Sequence, residues 1–412
     1  KAQLPHIAAA HARVVTGGGT SPMRRNVFRC SHASPASLLF RLMLETARRN
    51  IRFSLARNAS AAGRVPPRRP RAAGPSAAFW LAAILPLAGC TQIQDARELV
   101  DGDLHPPSLA GAELVDTNTA EIRLNKESRA LPESFRLEPA GEIEVSEEPG
   151  HTLSVRFEEA TEPGTRYTLA GAAEDAYGNS LQFVVYLYGY NPDIPSIQIN
   201  EFSTRHSSNH PEIVELLVLE DGNLGGVAVT NGTAGDFNDR YVFPGINVSA
   251  GDYVLVHFRP EGESYEVNEL ASDLDESEGL NAHPEARDIW VEGASGLPSN
   301  NGVVAVYRTP GGDPLDAVAW TNRTRESDER YRGFGSTRMQ NWVDELVDDN
   351  AWVIEGAVAW PEDLIYIDDS TATRSMNRTP DAENTTGKGD WHTAPTSGSS
   401  WGEENTVERY TP

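Results

Sequence analysis

From residue 108 to about residue 190, turn-forming residues cut the sequence into seven apolar-rich runs of four to seven residues, with no stretch of helical period among them. The runs are Ala112–Val115, Thr119–Leu124, Ser134–Leu137, Gly141–Val145, Thr152–Phe157, Arg166–Ala170 and Leu181–Leu187. In Thr119–Leu124 (TAEIRL) and Thr152–Phe157 (TLSVRF) every second side chain is apolar. Successive strand residues point to opposite faces, so each run places one face in a core and the other in water. Six or seven such strands bury their apolar faces by stacking as two sheets, which predicts a small sandwich over residues 108–190.

A hinge, Asn191-Pro192-Asp193-Ile194-Pro195, separates this region from a second series of strands. These are Ser196–Phe202, Glu212–Leu219, Leu224–Val229, Tyr241–Pro244, Asp252–His257, Asn301–Tyr307 and Pro314–Trp320. An insert at 321–370 holds the one convincing helix, Thr337–Asp348, in which Met339, Trp342, Val343, Leu346 and Val347 form a single apolar stripe. Such a stripe reads as core in preference to a ligand pocket. Ala351–Val353, Ala357–Trp360 and Leu364–Ile367 read as short edge or insert segments. The expected fold class is all-β, with two sandwich domains at 108–190 and 195–405 and a partly helical insert in the second. A length of 412 residues agrees with two or three domains.

Charge divides the chain elsewhere. The first 89 residues carry 14 Lys+Arg and one acid, Glu45; the other 323 carry 21 Lys+Arg and 59 Asp+Glu. The formal net charge of -25 is thus the sum of +13 and -38. Nucleic acid is not an expected partner, because the acidic part repels phosphates. Arg64–Arg71 (RVPPRRPR) is a positive n-region and Ala77–Leu87 (AAFWLAAILPL) a short apolar h-region. Eleven apolar residues are too few to cross a hydrocarbon core of about 30 Å, so the segment reads as a cleavable signal. It runs into Leu87-Ala88-Gly89-Cys90, which resembles the lipobox of bacterial lipoproteins. That resemblance implies diacylglyceryl transfer to the Cys90 thiol, cleavage before it and usually N-acylation, making the membrane a partner through two or three acyl chains. Cys30 would leave with the leader, so no disulfide or cysteine metal site is expected in the exported part.

Residues 64–89 are therefore the expected signal peptide, and 90–107 a polar tether. Residues 1–63 read as an extension that is disordered or not native, with translation starting near Val65 or, as the alternative, at Met43. Thr91 stands where an Asp would signal inner-membrane retention in enteric bacteria, which favours the outer membrane, facing periplasm or cell surface.

Two further resemblances lie in the exported part. Glu162-Pro163-Gly164-Thr165-Arg166-Tyr167-Thr168-Leu169 and Glu174-Asp175-Ala176-Tyr177-Gly178-Asn179 look like the "PGT.Y" and "D..GN" of bacterial Ig-like modules of the SbsA type. These modules act as spacers and adhesive segments. In the second region, Ile199-Asn200-Glu201-Phe202, Glu212–Leu216, Leu224–Val229, Phe243-Pro244 with Val248–Val256, Gly302–Tyr307 with Leu315–Trp320, Ser375–Arg378 and Asp390-Trp391 through Asn405 resemble, in order, the pieces of the lamin-tail domain, an Ig-like sandwich. Glu212–Leu216 lacks that family's usual aromatic, the 321–370 insert is extra, and Thr396-Ser397-Gly398 replaces the final "TPG" turn.

Chemistry is sparse in the sequence. Asp175 and Asn179 offer hard oxygens for calcium or an Asx-stabilised turn, and the turn is the preferred reading. Of the acidic runs Asp273–Glu278, Asp344-Glu345 with Asp348-Asp349, and Asp368-Asp369, most read as solvated loops without function; Asp273–Glu278 lacks the Gly and spacing of a calcium loop. His206 and His210 sit in a loop before Pro211, which excludes helix-based HExxH zinc chemistry. No GxSxG elbow, P-loop or dinucleotide fingerprint occurs where a strand would lead into a helix. Trp391 and Trp401, in a Gly/Ser/Thr-rich tail, offer rings for a sugar or protein ligand, although core or edge packing is the preferred reading. The expected function is a non-catalytic, envelope-anchored structural, adhesive or ligand-binding module without a cofactor, whose partner is a cell-surface protein or polysaccharide. The competing reading is a secreted calcium-dependent hydrolase with its site in the 321–370 insert, at Asp344 and Asp348. N-terminal peptide mapping of precursor trapped before cleavage should begin near Val65; peptides from residues 1–42 would disprove the late start.

Overall fold

The computed structural model describes residues 103–380 and 385–412. The leader, Cys90 and most of the tether lie outside the described residues. Within them the chain is all-β apart from one α-helix and a few single 3-10 turns.

The first sandwich consists of β1 (Leu109–Leu114), β2 (Thr119–Ala130), β3 (Arg136–Glu138), β4 (Ile143–Val145), β5 (Gly150–Phe157), β6 (Arg166–Glu174) and β7 (Ser180–Tyr188). Its two halves share β2. The first part of β2 pairs with β1 and β5, and its end, Arg129–Ala130, passes to β6, which carries β3 and β7. The alternation read from the sequence is realised in β5, where Leu153, Val155 and Phe157 are buried and Ser154 and Arg156 exposed. With Ile122, Leu169, Phe183 and Val185 they form one core, each large apolar side chain contributing about 1.5–3 kcal/mol by leaving water. The expected strand Ser134–Leu137 is corrected at its start. Pro132 opens a 3-10 turn over Pro132–Ser134, and the Ser134 hydroxyl accepts the Ala172 N–H at 2.8 Å, so the strand begins only at Arg136.

The expected hinge is tied down. The Asn191 side-chain amide donates to the carbonyls of Asn223 (2.6 Å) and Gly225 (2.8 Å), and the Asn223 N–H donates to the carbonyl of Asp193 at 2.6 Å.

The second sandwich has one sheet of β8 (Ile197–Phe202), β9 (Ile213–Val218), β14 (Tyr253–His257), β15 (Arg287–Trp290), β19 (Met376–Arg378) and β20 (Trp391–Thr393), in the order β15-β14-β9-β8-β19-β20. The other, in the order β12-β11-β16-β17-β18, contains β11 (Ala228–Gly232), β12 (Phe237–Val242), β16 (Asn301–Tyr307), β17 (Pro314–Thr321) and β18 (Ile365–Tyr366). Between β9 and β14, β10 (Gly222–Asn223) and β13 (Asn247–Val248) form a separate antiparallel pair. Two pairs are parallel, β14 with β15 and β17 with β18. A parallel neighbour requires a long crossover, and the connections at 258–286 and 322–364 supply it.

The helix, α1 (Thr337–Asp348), has the boundaries the apolar stripe gave. Met339, Trp342, Val343 and Leu346 join the same core as Val303–Tyr307. With α1 packed nearby, all of β16 except Asn301 is buried, which accounts for an unbroken apolar run, Val303–Tyr307, instead of an alternating one. The Ser336 hydroxyl caps α1 by accepting the Met339 N–H at 3.1 Å. At the other end Asn350 is left-handed (φ 59), and the N–H groups of Asn350 and Ala351 donate to the carbonyls of Val347 (3.1 Å) and Leu346 (2.8 Å). That closure explains a second correction. Ala351–Val353 forms no strand, because the N–H groups of Ala351 and Trp352 are both committed to Leu346. Ala357–Trp360 forms none either, since the Trp360 N–H is taken by the Asp363 carboxylate at 2.9 Å. Leu364–Ile367 contracts to β18.

Leu346→Ala, which empties core volume, should destabilise the fold by about 2–5 kcal/mol. Ser336→Ala should cost about 1 kcal/mol. Urea titration followed by tryptophan fluorescence measures both; a smaller effect for Leu346→Ala would show that α1 is peripheral to the core.

Candidate functional site

In β8, the run Ile199-Asn200-Glu201-Phe202 places two polar residues where every side chain is buried. Glu201 pairs in register with Glu215 of β9, and both are fully buried. An ionised carboxylate removed from water needs several donors, and here the segment 400–405 provides them. The Ser400 N–H (2.9 Å) and hydroxyl (2.7 Å) donate to Glu201. The Gly402 N–H (2.6 Å) and the Asn200 amide (2.7 Å) donate to Glu215. Burial pushes the Glu201 carboxyl up to about 7, against the opposing hydrogen bonds from Ser375 and Ser400. Glu215 is also raised, first by burial and then by the Glu201 charge. Two like charges placed opposite each other in a dry interior resist ionising together, so the pair holds a proton where isolated glutamates have lost theirs.

Beside it lies Arg378 of β19, 4% exposed. Its Nε donates to the Ile199 carbonyl (2.7 Å), one terminal nitrogen to Asp316 of β17 (2.6 Å), and the other reaches Asp390 (3.4 Å). Asp316 also accepts the Ile199 N–H at 2.7 Å. Burial raises the Asp316 pKa, and the Arg378 charge opposes the rise. The Asn405 amide donates to the carbonyls of Arg378 and Asn200, both at 2.8 Å, which joins the two groups.

A third cluster fixes the 258–286 crossover. His257 of β14 meets Asp288 of β15 at 2.6 Å and stacks on Trp290, with ring centroids 3.7 Å apart. Asp288 donates its N–H to Glu269 (2.7 Å), and the Trp290 indole donates to Ser277 (3.0 Å). His257, Asp288 and Glu269 are all fully buried, so the imidazole–carboxylate contact has no access to solvent and serves as an internal tie.

The residues singled out from sequence are not brought together. The Asp175 carboxylate accepts N–H bonds from Tyr177 (3.0 Å) and Asn179 (2.9 Å), the Asn179 amide (2.9 Å) and the Lys126 ammonium (3.2 Å). The Asn179 bond holds the Asp175 pKa below its usual value. An ammonium and an amide N–H occupy the positions that calcium would need, so the pair is an Asx-type turn. Among the described residues no group of three or more His, Asp and Glu is arranged to hold a metal. Trp391 is 6% exposed and packs edge-on against Phe202 at 5.2 Å. Trp401 is half-buried against Ile213, Leu255 and Ala286. His206 contacts Glu212 at 3.4 Å, whereas His210 bonds the Ser207 hydroxyl at 3.0 Å. Asp344 is engaged by Arg332 at 2.6 and 2.7 Å, and Asp348 is exposed. The Glu201, Arg378 and His257 clusters were not singled out as sites. Their signal in the sequence was a charged residue inside an apolar strand run, as in SIQINEF, EIVELLVL and PLDAVAW.

Residues 195–393 match a family model described as TP_1001, protein second domain. An uncharacterized protein of Treponema pallidum (strain Nichols) is 29% identical over 211 residues, which are 51% of this chain and 52% of that protein. The chain thus spans about half the length of the curated relative it matches. Among solved structures, a DUF4876 family protein from Bacteroides thetaiotaomicron VPI-5482 aligns with a TM-score of 0.25 and 11% identity, over 63% of this chain and 84% of that one. The N-terminal part of the bacterial S-layer protein SbsC aligns with a TM-score of 0.20 and 18% identity, over 34% of this chain and 37% of that one.

The carboxylate pair makes stability depend on pH. A glutamate loses its proton near 4.5 when unfolded, whereas Glu201 keeps its own to about 7 in the fold. Between those values the unfolded chain binds fewer protons, so the contribution of the pair is full below pH 4.5 and declines as pH rises toward 7. At about 1.4 kcal/mol per pKa unit, the rise from 4.5 to about 7 makes the decline on the order of 3–4 kcal/mol. Glu201→Gln stays neutral, so its Tm should gain on that of the unaltered protein between pH 5 and 8, measured by calorimetry in matched buffers. A Tm difference that does not change with pH would rule out the raised proton affinity of Glu201.

Proposed function

We propose that the chain is a non-catalytic bacterial lipoprotein. In this reading acyl chains on Cys90 hold it to the envelope, at the outer membrane. The first sandwich, resembling an Ig-like module, lifts the second, resembling a lamin-tail domain, away from the bilayer. The second sandwich then acts as a structural, adhesive or ligand-binding unit toward a cell-surface protein or polysaccharide.

The observation that carries this reading is where the perturbed carboxylates are spent. Glu201 and Glu215, whose proton affinities are raised, are hydrogen-bonded to Ser400 and Gly402 and fully buried. Groups with the acidity that hydrolysis would use are thereby committed to closing the fold. The order of an Arg-rich segment, an apolar segment and Leu87-Ala88-Gly89-Cys90 supports the anchor.

Metabolic labelling with palmitate in a bacterial host tests the anchor. Label should enter the full chain and be lost in Cys90→Ser; an unlabelled chain, or label that survives the substitution, would refute it. Incubation of the same protein with phosphodiesters and glycans, with calcium and with chelator, should give no turnover. Turnover abolished by Asp344→Asn would establish the hydrolase reading instead.

A further inference from the structure

Each sheet of the second sandwich ends on a very short strand, β18 in one and β20 in the other. Where these ends part, a cleft of about 360 Å³ is lined by Leu364 and Ile365 beside Tyr366, Lys388, Trp391, Arg409 and Tyr410. That volume lies within the range of small-molecule sites, ~300–1,000 Å³.

The residues lining this cleft include two bases, Lys388 and Arg409, against one acid, Glu362, with Asp368 beside Tyr366 at its rim. Beyond residue 89 the chain has 59 acids and 21 bases. Lys388 and Arg409 both line the cleft, and among the described residues neither makes an ion pair with a carboxylate. The Lys388 ammonium donates to the backbone carbonyl of Glu362. The carboxylate of Glu362, the acid that lines the cleft, is drawn to Arg325, whose N–H donates to it at 2.9 Å. A third cation, the Arg374 guanidinium, lies over the Tyr410 ring at 3.9 Å.

The remaining chemistry suits a ring-shaped, hydroxylated body. Tyr366 is 54% exposed, and aromatic faces of this kind accept the apolar face of a pyranose. The buried indole nitrogen of Trp391, on a side chain that lines the cleft, has no hydrogen-bond partner among the protein atoms. An extended peptide is less well served, since it would need free backbone on the β20 edge. There the Thr393 carbonyl already accepts the Tyr410 N–H at 2.8 Å.

We propose that the cleft between β18 and β20 binds an acidic sugar of the uronic acid type, its carboxylate held by Lys388 and Arg409 and its ring against the tyrosines. This rests on the polysaccharide-binding form of the function proposed above and supplies its ligand class.

Calorimetric titration of the full chain in detergent with a glucuronate-containing disaccharide tests it, with the corresponding neutral glucose disaccharide alongside. The acidic sugar should bind at least tenfold more tightly than the neutral one. The double variant Lys388→Gln/Arg409→Gln should lose at least tenfold in affinity for the acidic sugar alone. Both side chains are exposed, and an unchanged circular dichroism spectrum would confirm that the variant is folded. Tyr366→Ala should weaken both sugars. The site assignment is overturned if the acidic sugar does not bind, if both sugars bind equally, or if the double variant binds as before. The ligand class is overturned if inorganic phosphate or a short peptide carboxylate binds as tightly with the same sensitivity to the variant. Palmitate labelling reports on the anchor independently, so sugar binding can fail while the lipoprotein reading holds, and the reverse.

Discussion

Arg378 carries its charge into the interior of the second sandwich, and the elements around it are arranged to receive that charge. Asp316 belongs to the opposite sheet, Ile199 to the neighbouring strand and Asp390 to the turn before β20. Each guanidinium contact therefore joins a different part of the chain at one point. A buried guanidinium without acceptors is destabilising by several kcal/mol, and removing one partner of a buried pair typically costs about 3–5 kcal/mol. Dispersion and hydrophobic burial hold the two sheets together at the ~10 Å spacing of packed sheets, but they tolerate sliding. The fork of Arg378 does not, because its donors are fixed in a plane and meet acceptors on both sheets.

The closing segment depends on the same residue. Asn405 reads the carbonyls of Arg378 and Asn200, and the Ser400 and Gly402 N–H groups end on the two glutamates. Apart from Trp401, which packs on Ile213, Leu255 and Ala286, this polar, glycine-containing segment has little apolar surface with which to dock, so hydrogen bonds determine where the rest of it lies. The like-charged pair is the consequence. Two carboxylates give four oxygens for the donors of a backbone that would otherwise be unsatisfied, and the retained proton limits their repulsion.

How much of this was legible varies with the physical signal. Side-chain alternation located the strands of the first sandwich, since one wet face leaves a period of two, but it stopped β2 at Leu124, six residues short of its end at Ala130. The stripe from Met339 to Leu346 located α1, because its ends carry their own caps in Ser336 and Asn350. The parallel strand β15 was missed. Arg287-Asp288-Ile289-Trp290 has no alternation, all four residues are buried, and its partner is contributed from across a long crossover. Ala351–Val353 misled for a related reason: apolar content signals burial, whereas strand formation needs free N–H groups, and these were already used. The clusters at Glu201, Arg378 and His257 stood in the sequence as charges within apolar strands. Which charge meets which is a matter of register and crossover, and no local pattern encodes it. Trp391 has polar neighbours in the sequence, yet its strand places it at the edge of the core, 6% exposed.

The edges of the sandwich join fold and function. A sheet ending on a long flat strand invites other chains to pair with it, and short, charged ends are how β proteins avoid this. β18 has two residues and β20 three, and the chain's own tail takes the Thr393 carbonyl. The same shortness opens the cleft, because neither strand is long enough to close the gap between the sheets. Net negative charge on the surrounding surface repels acidic polymers over roughly a Debye length, ~8–10 Å in physiological salt. Lys388 and Arg409 act inside that distance, so under the proposed binding an acidic chain would be turned away from most of the surface and held at the sandwich edge. Added salt should screen the distant repulsion before the short contacts, so such a site would keep its hold at salt concentrations where a uniformly basic surface would lose it.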